Sequence, residues 1–265
     1  MYAFTYNRAS GLRQAQNMLG KLEEPKLLAG GQSLLPAMKL RLASHANLVD
    51  LNRVEGLAGI ELRGRSLVIG AMTRHADVAS SPVVQQAIPA LAHLAGEIGD
   101  PAVRHMGTIG GSIAYNDPNA DYPAGCLGLG ATIVTTKRRI VSDEFFKGLF
   151  ETALEPDEII TKVMFPLPKK AGYVKFPNPA SRFALVGVFA SKRGSDIRVA
   201  VTGAGANGVF RVTAFEEALK KRFSPKSLEG LTVPVAGMGS DIHGSAEYRA
   251  HLIGVLARRA VAAAG

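Results

Sequence analysis

The sequence predicts an α+β fold in which a two-lobed domain, a small βαβ-type lobe plus a mixed α/β lobe, precedes a three-stranded antiparallel sheet with helices. Short strands alternate with helical patterns early in the chain, three strands joined by polar turns follow residue 170, and amphipathic helices close it. A length of 265 residues exceeds that of a usual single domain. Since Pro166-Leu167-Pro168-Lys169-Lys170 breaks regular structure, we predict domains over 1–168 (lobes about 1–55 and 56–168) and 169–265.

The first lobe is predicted to contain two helices, two strands and a glycine turn. Leu12, Ala15, Met18 and Leu19 recur at helical spacing, and Gly20 stands where a left-handed C-cap would end that helix. The remaining elements are, in order, a strand at Lys26–Ala29, a turn at Gly30–Ser33, a helical face from Leu34 to Leu42 and a strand at Leu48–Leu51.

The second lobe is predicted to combine one helical stretch with a set of short strands. A strand at Leu67–Gly70 leads to Thr73 as a helix N-cap, and residues 83–98 are helical with an interruption at Pro89. A hairpin joins Thr132–Thr136 to Ile140–Val141, and Ile159–Phe165 forms a further strand.

The C-terminal domain is predicted to hold the antiparallel sheet and a helical bundle. Its strands are Tyr173–Phe176, Phe183–Ala190 and Ile197–Thr202, and its helices are Thr213–Arg222 and Ala246–Ala264. Residues 203–208 match GxGxxG, but β-favouring residues follow instead of a helix. We therefore predict a glycine turn between antiparallel strands and no nicotinamide fingerprint there.

Composition places the chain among ordinary globular proteins, with 47% hydrophobic and 20% charged residues. No apolar run approaches the ~20 residues of a membrane span, and the first residues lack a secretory pattern, so a cytoplasmic location is expected. The net charge of +9 raises nucleic acid, an anionic cofactor or an acidic partner as ligands. Nucleic acid is disfavoured because the basic clusters are scattered and lack interleaved aromatic residues.

The chain offers few groups for metal binding or nucleophilic catalysis. Cys126 is the single cysteine, so any iron–sulfur cluster must lie on a partner. The six histidines show no metal-ligand spacing, and Ser33 and Ser112 have no evident base, so we predict no metal site and no catalytic side chain.

A first candidate binding segment runs from Ala29 through Gly30, Gly31, Gln32 and Ser33 into the helix that starts at Leu34. Glycine permits positive φ and a close approach of a ligand to the main chain, and a helix start offers unpaired amides. The segment therefore suits a phosphate or pyrophosphate, although a tight turn explains its glycines equally well.

A second segment, which contains Thr108, Gly110, Gly111 and Ser112, repeats the paired glycine flanked by hydroxyl groups. Two such turns could hold one diphosphate between their backbone amides. Asp121 follows shortly afterwards and could accept hydrogen bonds from a ribose, or could equally cap the next helix.

Several segments resemble the medium, FAD-binding subunit of the carbon monoxide dehydrogenase and xanthine dehydrogenase family of molybdenum hydroxylases. They are AGGQSLLP, LVDLNRV, IGAMTRH, RHMGTIGGSIAYNDPNADYPA and DIHGSAEYRAHLIGVLARRA, in this order over nearly the whole chain. The resemblance implies that the two glycine turns hold the FAD pyrophosphate without a covalent bond and that Asp121 contacts the adenosine half. It also implies a backbone contact from Ile160 to the adenine side and places Lys175 near the flavin. Residues 176–184 depart from the arginine-rich pattern of the relatives.

The resemblance further implies an electron-transfer role without substrate contact. The partners would be a large molybdenum-cofactor subunit and a small iron–sulfur subunit, in a dimer of heterotrimers. Two alternatives remain open at this point: a self-contained flavin oxidase, which predicts turnover by the isolated chain, and a basic nucleic-acid-binding module, which predicts salt-sensitive binding and no cofactor.

Overall fold

The computed structural model describes residues 1–265, and the chain begins with a small parallel sheet. The strands are β1 (Thr5–Arg8), β2 (Pro25–Leu28) and β3 (Asn47–Asp50), with β3 in the middle; helices α1 (Leu12–Lys21) and α2 (Leu34–Lys39) connect them. Parallel neighbours need such crossovers because the chain must return to the same end of the sheet. The loop after β2 is thereby placed at the carboxyl edge of the sheet.

Two details of the first lobe differ from the sequence-based expectation. Gly20 does not cap α1: the helix continues to Lys21, and Leu22 follows in an extended conformation and packs against the lobe core. The left-handed residue of this turn is Glu24, with φ of 43°. Leu42 lies beyond the end of α2 and is exposed, so it belongs to no buried helical face.

The second lobe is built on a five-stranded antiparallel sheet in the order β4-β5-β10-β6-β7. Its strands are β4 (Ile60–Arg63), β5 (Ser66–Gly70), β6 (Thr132–Thr135), β7 (Arg139–Val141) and β10 (Ile160–Pro166), and a separate pair is β8 (Phe146–Gly148) with β9 (Glu151–Thr152). The predicted hairpin of β6 and β7 is confirmed.

Seven short helices complete this lobe. They are α3 (His75–Ser80), α4 (Pro82–Ala87), α5 (Pro89–Gly96), α6 (Pro101–Met106), α7 (Ile109–Tyr115), α8 (Asp121–Leu129) and α9 (Ser142–Phe145). The predicted interruption at Pro89 is confirmed, because α4 ends before it and α5 begins with it. Thr73 as an N-cap is wrong: its hydroxyl binds the backbone of Gly59, and Arg74 precedes α3.

The C-terminal sheet has four strands where three were predicted. They are β11 (Lys170–Pro177), β12 (Ala184–Arg193), β13 (Asp196–Thr202) and β14 (Phe210–Arg211), all antiparallel. The fourth is only two residues long, too short for an alternating pattern to reveal it. The GxGxxG segment lies between β13 and β14, which confirms it as a turn between antiparallel strands. Helices α10 (Thr213–Lys221) and α11 (Ala246–Ala263), with a 3₁₀ turn at Pro225–Leu228, follow.

The C-terminal sheet packs on both of its faces. Val186 and Val188 belong to a buried cluster shared with α10 and α11, whereas Phe189, together with Tyr173, joins the core of the second lobe. Strand alternation explains this division, since successive side chains point to opposite faces. The domain boundary at residues 166–170 stays a prediction. None of the helices combines the length and apolar character needed to cross a membrane.

Candidate functional site

The two glycine turns lie against each other at the boundary between the first and second lobes. A Cβ added to Gly30 would overlap the carbonyl oxygen of Met106 and lie 2.7 Å from the Cα of Gly107. A Cβ added to Gly111 would lie 3.5 Å from that of Ala29. Glycine at position 30 is therefore a steric requirement for the contact between the turns.

The first turn presents a run of unused hydrogen-bond donors. The backbone N–H groups of residues 30–34 make no backbone hydrogen bond within the protein, and Ser33 supplies no side-chain cap to the helix that follows. Gly31 takes the left-handed conformation with φ of +72°, and Gln32 and Ser33 are exposed. Successive free amides around a left-handed residue form a concave site for anions. The donors, more than the dipole of the six-residue α2, suit this turn to an anion.

The second turn uses its glycines differently from what the sequence led us to expect. The amide of Gly110 donates to the Ala71 carbonyl oxygen at 2.8 Å, and the amide of Gly111 donates to Thr108 Oγ1 at 3.1 Å. A Cβ on Gly110 would lie 2.6 Å from that of Ala71. This pair of glycines thus serves close packing, and the expectation that both pairs offer free amides was wrong. The polar groups that remain are the Thr108 amide and the Ser112 hydroxyl.

A hydrogen-bond network that the sequence analysis missed links the two turns. The Arg74 guanidinium donates to the carbonyl oxygen of Met106 and, at 2.6 Å, to Asn52 Oδ1. Asn52 in turn donates to the Ala29 carbonyl oxygen at 3.1 Å and to Asp50 Oδ1 at 2.6 Å. The network brings a permanent cation next to both turns, where an anion would be bound. Arg74 and Asn52 stand in the IGAMTRH and LVDLNRV segments, which was the only available signal.

Asp50 is held as a carboxylate within this network. Burial would raise its pKa, but hydrogen bonds from the Tyr6 hydroxyl and from Asn52 hold the pKa of Asp50 below its ordinary value. An ionised Asp50 accepts these bonds and so orients Asn52 toward the first turn.

Asp121 and Lys175 form a buried ion pair between α8 and β11. Lys175 Nζ lies 3.0 Å from Asp121 Oδ1 and also donates to the Glu97 carbonyl oxygen at 2.9 Å, while the Tyr173 hydroxyl donates to the same carboxylate. Burial raises the pKa of Asp121, and Lys175 opposes that rise. The helix-capping interpretation of Asp121 is wrong, because its side chain caps no amide of α8. Its contact with adenosine stays a prediction.

The remaining predicted residue, Ile160, is the first residue of β10. It is buried opposite Thr135, where the register between β10 and β6 shifts. A shift of this kind leaves backbone groups outside the regular ladder. Ile160 also shares a buried cluster with Ile109 and Ile113 of α7, the helix that carries the second glycine pair. Its backbone contact to the adenine side stays a prediction.

His75 and Tyr122 are buried beside the second turn. A Cβ on Gly107 would lie 2.5 Å from His75 Nε2, and the rings of His75 and Tyr122 are 5.4 Å apart between centroids. Burial, with smaller contributions from Arg74 and Arg104, lowers the pKa of His75 to about 4. His75 Nδ1 and the Tyr122 hydroxyl have no hydrogen-bond partner in the protein. Buried polar atoms of this kind are exceptional and mark a place for a polar ligand or water.

This combination defines the class of the protein. The turn after β2 presents free amides and a nearby guanidinium against the second glycine turn, which suits the diphosphate of a dinucleotide. Residues 2–168 match the family described as the FAD binding domain in molybdopterin dehydrogenase. The chain belongs to this family of FAD-binding chains of molybdenum-containing oxidoreductases.

Relatives match the chain from end to end. It is 35% identical to the carbon monoxide dehydrogenase medium chain of Hydrogenophaga pseudoflava, over 98% of this chain and 96% of that one. It is 36% identical to the nicotine 6-hydroxylase medium subunit of Paenarthrobacter nicotinovorans, over 99% and 98%. A solved carbon monoxide dehydrogenase structure from Hydrogenophaga pseudoflava superposes with a TM-score of 0.90 at 36% identity, covering 99% of this chain and 97% of that one.

Proposed function

We propose that this chain is the FAD-carrying electron-transfer subunit of a multi-subunit molybdenum hydroxylase. It would bind FAD without a covalent bond, accept electrons from iron–sulfur clusters of a partner subunit and pass them to an external acceptor. The observation that carries the proposal is the run of free backbone amides at residues 30–34, pressed against a second glycine turn. Those donors suit a pyrophosphate, which offers several anionic acceptors.

The residues of the chain hold and orient the cofactor. Amides from Gly30 to Leu34 would bind the pyrophosphate, the Arg74 guanidinium would add positive charge, and Ser112 would donate from the second turn. By resemblance, Asp121 would contact the adenosine half, Ile160 the adenine side, and Lys175 the region near the flavin. FAD, when bound, supplies the redox chemistry, and the protein tunes it.

The partners follow from what the chain lacks and from its relatives. Cys126 is buried, and burial raises the pKa of its thiol, so it offers no thiolate to a metal centre. The relatives are named as medium chains or medium subunits. A large molybdenum-cofactor subunit and a small iron–sulfur subunit, arranged as a dimer of heterotrimers in the cytoplasm, belong to the same proposal.

A pair of substitutions at Gly31 tests FAD binding. Gly31→Asp places a carboxylate among the free amides, whereas Gly31→Asn adds a side chain of the same size at the same positive φ without the charge. We expect Gly31→Asp to hold at least about tenfold less FAD per chain than Gly31→Asn, since a like charge beside the pyrophosphate costs more than about 1.4 kcal/mol. Flavin absorbance of the purified, folded variants measures this. Equal FAD contents would contradict the proposal.

A further inference from the structure

The first lobe exposes a group of large apolar side chains that the FAD site does not use. We name this group the N-terminal patch: Tyr2, Phe4, Tyr6, Leu40 and Leu42, of which Leu42 is 79% and Tyr2 53% exposed. Scattered single hydrophobic residues are normal on a surface, but aromatic residues grouped with arginine are typical of protein interfaces. The patch therefore has the composition of a docking site.

Contacts within the lobe join the two halves of the patch. The Arg41 guanidinium lies 5.5 Å from the ring centroid of Tyr2, so the segment after α2 touches the start of the chain. Tyr6 lies on β1, which is an edge strand, and Phe4 immediately precedes that strand. Tyr6 pairs with Leu48 of β3; the Leu48 side chain is fully buried, but the Tyr6 side chain is about half exposed. An edge strand with exposed aromatic residues is a surface that another chain can cover.

The positive charge around the patch indicates what kind of partner binds there. The first 50 residues, which supply every member of the patch, contain six lysine and arginine residues against three acidic ones. Of the acidic residues, Asp50 is buried beneath Tyr6 and Glu23 and Glu24 lie in the turn before β2. Arg8 lies over the Tyr6 ring at 5.5 Å, and Arg41 lies over Tyr2. A second copy of this chain would oppose cation to cation, whereas an acidic polypeptide would complement the surface. The occupant indicated is thus a partner protein with an acidic rim around an apolar centre.

The patch is connected to the glycine turn by hydrogen bonds. The Tyr6 hydroxyl donates to Asp50, Asp50 accepts from Asn52, and Asn52 donates to the carbonyl oxygen of Ala29. A protein seated on β1 would therefore contact a residue that supports the nucleotide site. We infer that the N-terminal patch docks the electron-supplying, iron-containing subunit through an acidic, apolar-centred face; this inference rests on the proposed function.

Charge introduction at two exposed positions of the patch tests the inference. The tagged full chain is purified with its complex from its own organism as wild type, Phe4→Glu, Leu42→Glu and the control Leu62→Glu, and FAD and iron per chain are measured. Leu62 is also an exposed leucine, 52% accessible, but it lies on β4 in the other lobe. We expect both patch variants to keep FAD and to copurify with at least about tenfold less iron per chain. Substituting an anchor residue of an interface typically weakens binding by that much. The control should keep both.

Each other outcome counts against the inference in a distinguishable way. Unchanged iron in Phe4→Glu and Leu42→Glu, or FAD without iron in the wild type, would overturn the docking site and leave FAD binding intact. A change in self-association, or copurified nucleic acid in place of the iron-containing subunit, would assign the patch to another occupant and overturn it too. Wild-type chain without FAD would overturn the proposed function, and the docking inference with it.

Discussion

Gly30 is the residue at which the two turns touch, because its missing Cβ leaves room for the backbone of Met106 and Gly107. The same residue starts the run of free amides. Any larger residue must push the turns apart, so glycine is a steric requirement here, and the proposed FAD site depends on the same contact. Gly20, the penultimate residue of α1, has nothing within 4 Å of the position that a Cβ would take and offers a contrasting position.

Gly30→Ala is therefore expected to lower both stability and FAD content. We expect a loss of about 3 kcal/mol in the free energy of unfolding, as for other overpacked sites, together with most of the bound flavin. Gly20→Ala should raise stability by about 0.5–1 kcal/mol, because alanine is the better helix former, and should keep FAD. Urea unfolding and flavin absorbance measure both variants. A Gly30→Ala chain that matches the wild type would refute the steric argument.

His75 predicts a pH dependence of stability. The pKa of His75 is about 4 in the folded chain, whereas an unperturbed histidine has a pKa of about 6.5. As the pH falls below about 6.5, the unfolded chain therefore binds a proton at this residue and the folded chain does not. This residue's contribution is present above pH 6.5 and declines as the pH falls toward 4, by about 3 kcal/mol in total. His75→Leu should remove that part of the decline between pH 7 and 4.5, whereas His251→Leu, at an exposed position, should not. Denaturant unfolding of both variants and the wild type at pH 7 and 4.5 measures this difference. An unchanged decline in His75→Leu would contradict the assignment to His75.

Elements that carry long patterns were predictable, and those set by tertiary contacts were not. The hairpin of β6 and β7 and the break at Pro89 follow local sequence rules, and the structure confirms them. The two-residue β14 forms only because β13 offers it an edge, and α1 passes Gly20 because Leu22 packs inward. At such points, tertiary packing overrides local propensity, and the sequence of one segment does not show which residues of other segments will pack against it.

The pair formed by α8 and β11 gives a prediction at the scale of elements. Asp121 and Lys175 are buried, so removing one partner leaves an uncompensated charge that costs about 3–5 kcal/mol. We expect Asp121→Asn and Lys175→Met to show a coupling energy of at least about 2 kcal/mol in a double-mutant cycle. The more exposed Lys137–Glu155 pair is the control and should couple by less than about 1 kcal/mol. Additive effects at Asp121 and Lys175 would show that the ion pair is not formed.

At the scale of the whole molecule, the site arises where separately patterned parts of the chain meet. The sequence indicated both glycine turns, but not that the amide of Gly110 donates to the Ala71 carbonyl oxygen and that of Gly111 to Thr108 Oγ1. It also missed Arg74 and Asn52, whose roles depend on carbonyl oxygens of the opposite turn. Backbone acceptors have no signature in the sequence, so such partners emerge only from the folded chain. The order of the motifs nevertheless resembled that of a known family, and this resemblance identified the cofactor as FAD.

The most direct measurement of the central claim is residue-resolved amide hydrogen exchange of the full chain with and without FAD. If the first turn binds the pyrophosphate, the amides of residues 30–34 should exchange at least about tenfold more slowly with FAD, because each gains an acceptor and opens less often. Gly110 and Gly111, whose amides already have protein acceptors, should change much less. Protection at Gly110 and Gly111 with none at residues 30–34, in chain that has bound FAD, would contradict the account.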